Sequence, residues 1–123
     1  MPRTDYSNIA FVVEDGCLVM TARPRSGGEP YRHACPLESY TEIAHAIEEA
    51  GQAGLSREEL HERTGLGWTR INVAIVFLDE RSIVTRAGKR GRLLVTCSPA
   101  LVEEALTEYH ALREKGTAPT PAA

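Results

Sequence analysis

The residues best able to do chemistry fall into two groups, and neither makes an enzyme. The first is His33-Ala34-Cys35, which with Cys17 or Cys97 could offer three soft ligands to zinc, or leave Cys35 as a regulatory thiol. One H-x-C is a weak metal signal, so small reduced cysteines packed as hydrophobes are the reading adopted, with no metal and no cofactor expected. The second group is cationic. From Thr85 to Arg92 the chain carries Arg86, Lys89, Arg90 and Arg92 and no acid. Such a cluster suits phosphate contact, where each neutralised phosphate releases counterions and makes affinity depend on salt. No Gly-rich phosphate loop, HExxH, CxxC or nucleophile elbow occurs, so no enzymatic activity is expected.

The elements that must carry these groups are legible from periodicity. Asn8–Val13 and Cys17–Thr21 are β-branched and aromatic runs on either side of Glu14-Asp15-Gly16, which predicts a hairpin with a primed turn. A lone hairpin is marginal, so residues 1–22 are expected to pack on the rest. Residues 23–38 hold three prolines and a Gly-Gly pair and read as a loop. Ser39-Tyr40-Thr41-Glu42 has the form of a capping box, opening a helix with Ile43, Ala46, Ile47 and Ala50 on one face. Gly51 and Gly54 stop it. A second box, Ser56-Arg57-Glu58-Glu59, with Leu55 and Leu60 as a staple, opens a short helix ending at Thr64-Gly65. A third helix spans 68–81, with Ile71, Ala74, Ile75 and Leu78 inward. Ile83–Arg86 and Arg92–Thr96 then flank a basic, glycine-punctuated tip. The segment 98–115 reads as a C-terminal helix with Ser98 as N-cap, Pro99 first, and a broad apolar stripe of Leu101, Val102, Ala105, Leu106, Tyr109 and Leu112. Residues 116–123 read as a disordered tail.

Helix, helix, turn, helix and hairpin over 39–97 is the order of a winged helix-turn-helix. Leu55-Ser56-Arg57-Glu58-Glu59-Leu60, Leu66-Gly67-Trp68-Thr69-Arg70-Ile71 and Leu78-Asp79-Glu80-Arg81-Ser82-Ile83-Val84 carry a resemblance that can be named. The stretch resembles the winged-helix domains of bacterial transcription regulators, a class that includes arsenical-resistance and multiple-antibiotic-resistance repressors. The resemblance implies an α+β fold, with the N-terminal hairpin and the C-terminal helix as additions to it. It also implies a DNA-binding homodimer with helix 68–81 in the major groove and the wing, 85–92, on the backbone. Thr69, Arg70 and Asn72 would then face the bases, since Arg forks onto guanine and Asn onto adenine. The C-terminal stripe is open to two uses, the domain's own core or a dimer interface.

One feature of the third helix opposes that reading. Its outer arc carries Val73, Val76 and Phe77, and a helix apolar on both faces is normally buried on both. Either the N-terminal hairpin or a second subunit covers the strip, or the strip is a protein-interaction surface and no DNA is bound.

Composition bounds these readings. A chain of 123 residues, 42% hydrophobic and 25% charged, is one globular domain. No apolar run is long enough for a membrane span or a secretory signal, and three unevenly spaced cysteines do not make a disulfide framework, so a cytoplasmic protein is expected. The net charge of −3 excludes a uniformly basic coat. It divides unevenly: residues 57–92 hold eight Lys+Arg against five acids, net +3, leaving −6 elsewhere. Binding to nucleic acid would therefore be local.

Overall fold

Asp15 and Gly16 both sit at positive φ, 52° and 74°, the backbone that a two-residue primed turn demands. The turn joins β1 (Tyr6–Glu14) to β2 (Cys17–Pro24), with Glu14 opposite Cys17 and Phe11 opposite Met20. The computed structural model describes residues 6–24 and 29–117 of the chain. The expected tail at 116–123 thus lies outside the described residues from 118 onward, as do residues 1–5 of the N-terminal segment and 25–28 of the expected loop.

The loop expected over 23–38 is in part a strand. β3 (Tyr31–Pro36) pairs antiparallel with β2, Leu18 opposite Cys35 and Met20 opposite His33, giving a three-stranded sheet in the order β1-β2-β3. Its period-two pattern is real: Cys35 is buried with Tyr31 and His33 half-buried, while Arg32 and Ala34 are exposed. Prolines are tolerated beside it because β3 is an edge, where one side of the backbone needs no ladder partner.

β3 runs straight into α1 (Leu37–Ala50), which begins two residues before the expected start. The capping box at Ser39 does not form. Pro36, with extended backbone, occupies the cap position without a side-chain hydrogen bond, and Ser39 is buried inside the first turn. The Leu37 amide donates to the Gly16 carbonyl at 2.9 Å, fastening the helix start to the hairpin turn. A short 3-10 turn, Gly51–Ala53, leads to Gly54. Here glycine is required: φ is +73°, and a Cβ would come within 2.8 Å of Val95 and 3.0 Å of the Leu94 carbonyl.

The second box does form. The Ser56 hydroxyl accepts from the Glu59 amide at 3.1 Å, and the Glu59 carboxylate accepts from the Ser56 amide at 2.8 Å, opening α2 (Arg57–Thr64). Leu55 and Leu60 are both buried, as a staple requires. After Gly65 in the left-handed region comes α3 (Trp68–Glu80). β4 (Val84–Ala87) and β5 (Leu93–Thr96) form the second hairpin, and Leu55 exchanges backbone hydrogen bonds with Leu94 at its base.

α4 (Leu101–Thr117) starts later than expected, because the Ser98 hydroxyl caps a turn by accepting from the Ala100 amide. The Glu48 carboxylate, reaching from α1, accepts from the Val102 amide at 2.8 Å and satisfies a free donor of the new helix. The apolar stripe of α4 serves the chain's own core. Leu101, Ala105 and Tyr109 are buried where α4 packs on α1 and β1, with Val102 and Leu112 packed against the same core. Of the two uses open to the stripe, the structure shows the first, the domain's own core, for the buried three, while Val102, Leu106 and Leu112 stay half-buried. The Tyr40 hydroxyl, wholly buried, donates to the Ala105 carbonyl at 2.7 Å and pins α1 to α4.

Among the described residues the fold is α+β, with four α-helices and two small antiparallel sheets. No helix among the described residues is long and apolar enough to cross a membrane.

Candidate nucleic-acid interface

α3 is divided along its length. From Val73 onward it is interior: Val73 and Phe77 are fully buried and Val76 is half-buried. The cover is the N-terminal sheet, since α3 packs against β3 and β2, and Phe11 of β1 meets Phe77 edge-to-face at 5.0 Å. The strip Val73/Val76/Phe77 is therefore no exposed partner surface. A hydrophobic strip of this width needed something to lie on it, and β1–β3 supply that.

The first turns of α3 are different. Trp68, Thr69 and Arg70 are exposed and Asn72 is half-buried. Gly67 caps the helix without a side chain, so no side-chain oxygen occupies the free backbone amides there. Arg70 donates to the Ser39 hydroxyl of α1 at 3.0 Å, and the Asn72 carbonyl oxygen accepts from Arg57 of α2 at 3.4 Å. Two of the three expected base readers are thus held from neighbouring helices.

Three residues not singled out as readers complete this face. Arg57 and His61 stand one turn apart on α2, as Trp68 and Asn72 do on α3. The Arg57–Asn72 hydrogen bond forms one rung between the helices. The second is His61 stacked on Trp68, ring centroids 4.2 Å apart and planes within 18°. His61 is oriented by its Nδ1, which donates to the Leu66 carbonyl at 2.8 Å, a carbonyl being only an acceptor. The equal i, i+4 spacing on the two helices was the signal in the sequence. Nothing there placed the helices side by side.

The wing carries the second group. Arg86, Lys89, Arg90 and Arg92 are all exposed. Arg86 is paired with Asp79 at 3.3 Å, at the C-terminal end of α3, far along the helix from Thr69. Lys89, Arg90 and Arg92 make no side-chain hydrogen bond or ion pair among the described residues. Three residues of this tip are at positive φ, including Arg90 at φ 59°, a position L side chains occupy at a cost of about 1–2 kcal/mol. The structure therefore keeps the tip tightly turned and its cations outward.

The thiols stay apart from both groups. Cys35 is buried, Cys17 half-buried and Cys97 exposed, and among the described residues no three His, Cys, Asp or Glu side chains assemble a metal site. Burial pushes the Cys35 thiol up to about 12, with Arg70 pulling against it and Cys17 adding to it. At neutral pH it is a protonated, unreactive thiol. Labelling with an aromatic disulfide reagent is expected to modify Cys97 at once, Cys17 slowly, and Cys35 only after denaturant is added. Fast modification of all three in the native state would contradict the burial described.

Comparison of the chain with protein families, with curated proteins and with solved structures finds no match.

Proposed function

We propose that residues 37–96 are a winged helix-turn-helix and that the chain is a sequence-specific DNA-binding transcription regulator. α1, α2 and α3 would be its three helices and β4–β5 its wing. The observation that carries the reading is the division of α3. The apolar half that argued against a DNA-reading helix is covered by the chain's own sheet, and what remains in solvent is Thr69, Arg70 and part of Asn72, with Trp68 beside them. Thr69, Arg70 and Asn72 are the base readers, entering the major groove from the N-terminal end of the helix. Lys89, Arg90 and Arg92 hold the phosphate backbone, joined by Arg86 when it leaves Asp79. The burial of Val73 and Phe77 favours this reading over a protein-interaction module built on that strip.

The test is fluorescence anisotropy with labelled duplex DNA at low salt, followed by selection of a preferred sequence from a random pool. Duplex binding that weakens steeply with salt is expected, and no binding to any duplex at low salt sinks the proposal. Within the selected site, Arg70→Ala is expected to lose about 1–3 kcal/mol of discrimination, the worth of one bidentate contact to guanine. Binding of the same variant to random duplex should fall much less.

A further inference from the structure

Trp68 is the one tryptophan of the chain, and among the described residues it is the large hydrophobic side chain left exposed, at 46%. His61 lies almost parallel to the indole at 4.2 Å and so covers one of its faces. With one face covered, an exposure of 46% leaves the other face in water. The imidazole beneath the indole is held by the Leu66 carbonyl. Beside it, one helical turn along, stands Asn72, whose carbonyl oxygen is engaged by Arg57 while its NH2 group remains to donate. Arg57, bonded to that Asn72, adds a positive charge on the same side.

A duplex alone would leave the open indole face unused. In the major groove the bases present their edges, and their faces are hidden in the stack. A flat, open aromatic face bordered by a cation and an amide is what stacks an unpaired nucleobase while the backbone is neutralised alongside. From this we infer that Trp68 is a stacking platform for an unstacked base, so that the face formed by Arg57, His61, Trp68 and Asn72 selects DNA in which duplex adjoins a single-stranded nucleotide. The inference rests on reading this end of α3 as a nucleic-acid surface and specifies the form of DNA it takes. Trp68 supplies the stack, Asn72 a donor to the edge of the stacked base, and Arg57 a charge for the adjoining phosphate. His61 positions the indole from behind.

The unique tryptophan makes the contact observable in the intact chain. Its emission is followed during titration with a blunt duplex and with the same duplex carrying a thymidine overhang of about six nucleotides, 5′ in one arm and 3′ in the other. At least one overhang is expected to bind about tenfold more tightly than the blunt duplex, the worth of one stacked base, and to quench Trp68 emission more than the blunt duplex does. Anisotropy of labelled DNA then reads the variants. Trp68→Ala, shown folded by circular dichroism, should bring overhang affinity down to that of the blunt duplex, and Trp68→Phe should keep most of the difference. Equal affinity and equal quenching for blunt and overhang DNA overturn the inference, as does a Trp68→Ala variant that retains the preference. In either case salt-dependent duplex binding through the wing would still stand. If the unaltered protein binds none of these DNAs at low salt, the nucleic-acid reading falls and this inference with it.

Discussion

Phe77→Ala is expected to lower the unfolding free energy by about 3–5 kcal/mol, the range for removing a fully buried aromatic side chain. A domain of this size has about 5–15 kcal/mol to lose, so the variant should melt far earlier or not fold at all. The magnitude follows from the neighbours. Phe77 is wholly buried, with Phe11 edge-to-face at 5.0 Å, Tyr40 edge-to-face at 5.9 Å, and the Arg81 guanidinium 4.8 Å above its ring. Tyr40 in turn stacks on Tyr109 of α4 at 5.8 Å, so one ring joins the sheet, α1 and α4 through a single aromatic cluster. Relaxation cannot close a hole bounded by three other elements, and the cavity cost adds to the lost transfer energy. Val76→Ala, two-sided in sequence yet only half-buried, should cost clearly less. Urea denaturation of the two variants against the unaltered chain checks both. A Phe77→Ala protein as stable as its parent would mean that the sheet does not lie on α3.

Exchanging the three wing cations in Lys89→Ala/Arg90→Gly/Arg92→Ala should separate binding from stability. If each contacts one phosphate, the slope of log affinity against log salt falls by about 2.7, and affinity at about 0.1 M salt falls on the order of 10²–10³-fold. Stability should not fall with it. These side chains touch no partner among the described residues, and glycine at position 90 relieves the left-handed backbone there, a gain of about 1 kcal/mol at most. Random and preferred duplexes should lose affinity alike, in contrast to Arg70→Ala, because phosphate contacts carry no sequence. An unchanged salt slope would remove the wing from the interface.

Most elements were legible because local signals agreed with the final packing. The Asp15-Gly16 turn, the Ser56–Glu59 box and the inward face of α3 each follow from residues a few positions apart. β3 was hidden because its signal is short. Tyr31, His33 and Cys35 alternate for only one strand's length between Pro30 and Pro36, and their partner is β2, already assigned to a complete hairpin. The false capping box at Ser39 has the same origin. Without the strand, nothing announced that Pro36 would deliver the chain into the helix two residues earlier. The twofold apolar surface of α3 did announce burial on both sides, but not which of several covers would lie there. At the interface, residue type identified Arg70, Asn72 and the wing cations. Trp68 read only as the first residue of a helix, since its meaning depends on His61 from a different element.

The sheet that covers Val73 and Phe77 is translated before the helix it covers. At roughly 5–20 residues per second, the ribosome makes β1–β3 a few seconds ahead of the end of α3. During that interval Phe11, Leu18 and Met20 have no α3 to lie against. The nascent chain therefore passes through a stage in which a hydrophobic sheet face waits for its lid. The long-range pairing of its first and third quarters, more than any local helix, sets the pace at which it becomes safe from aggregation.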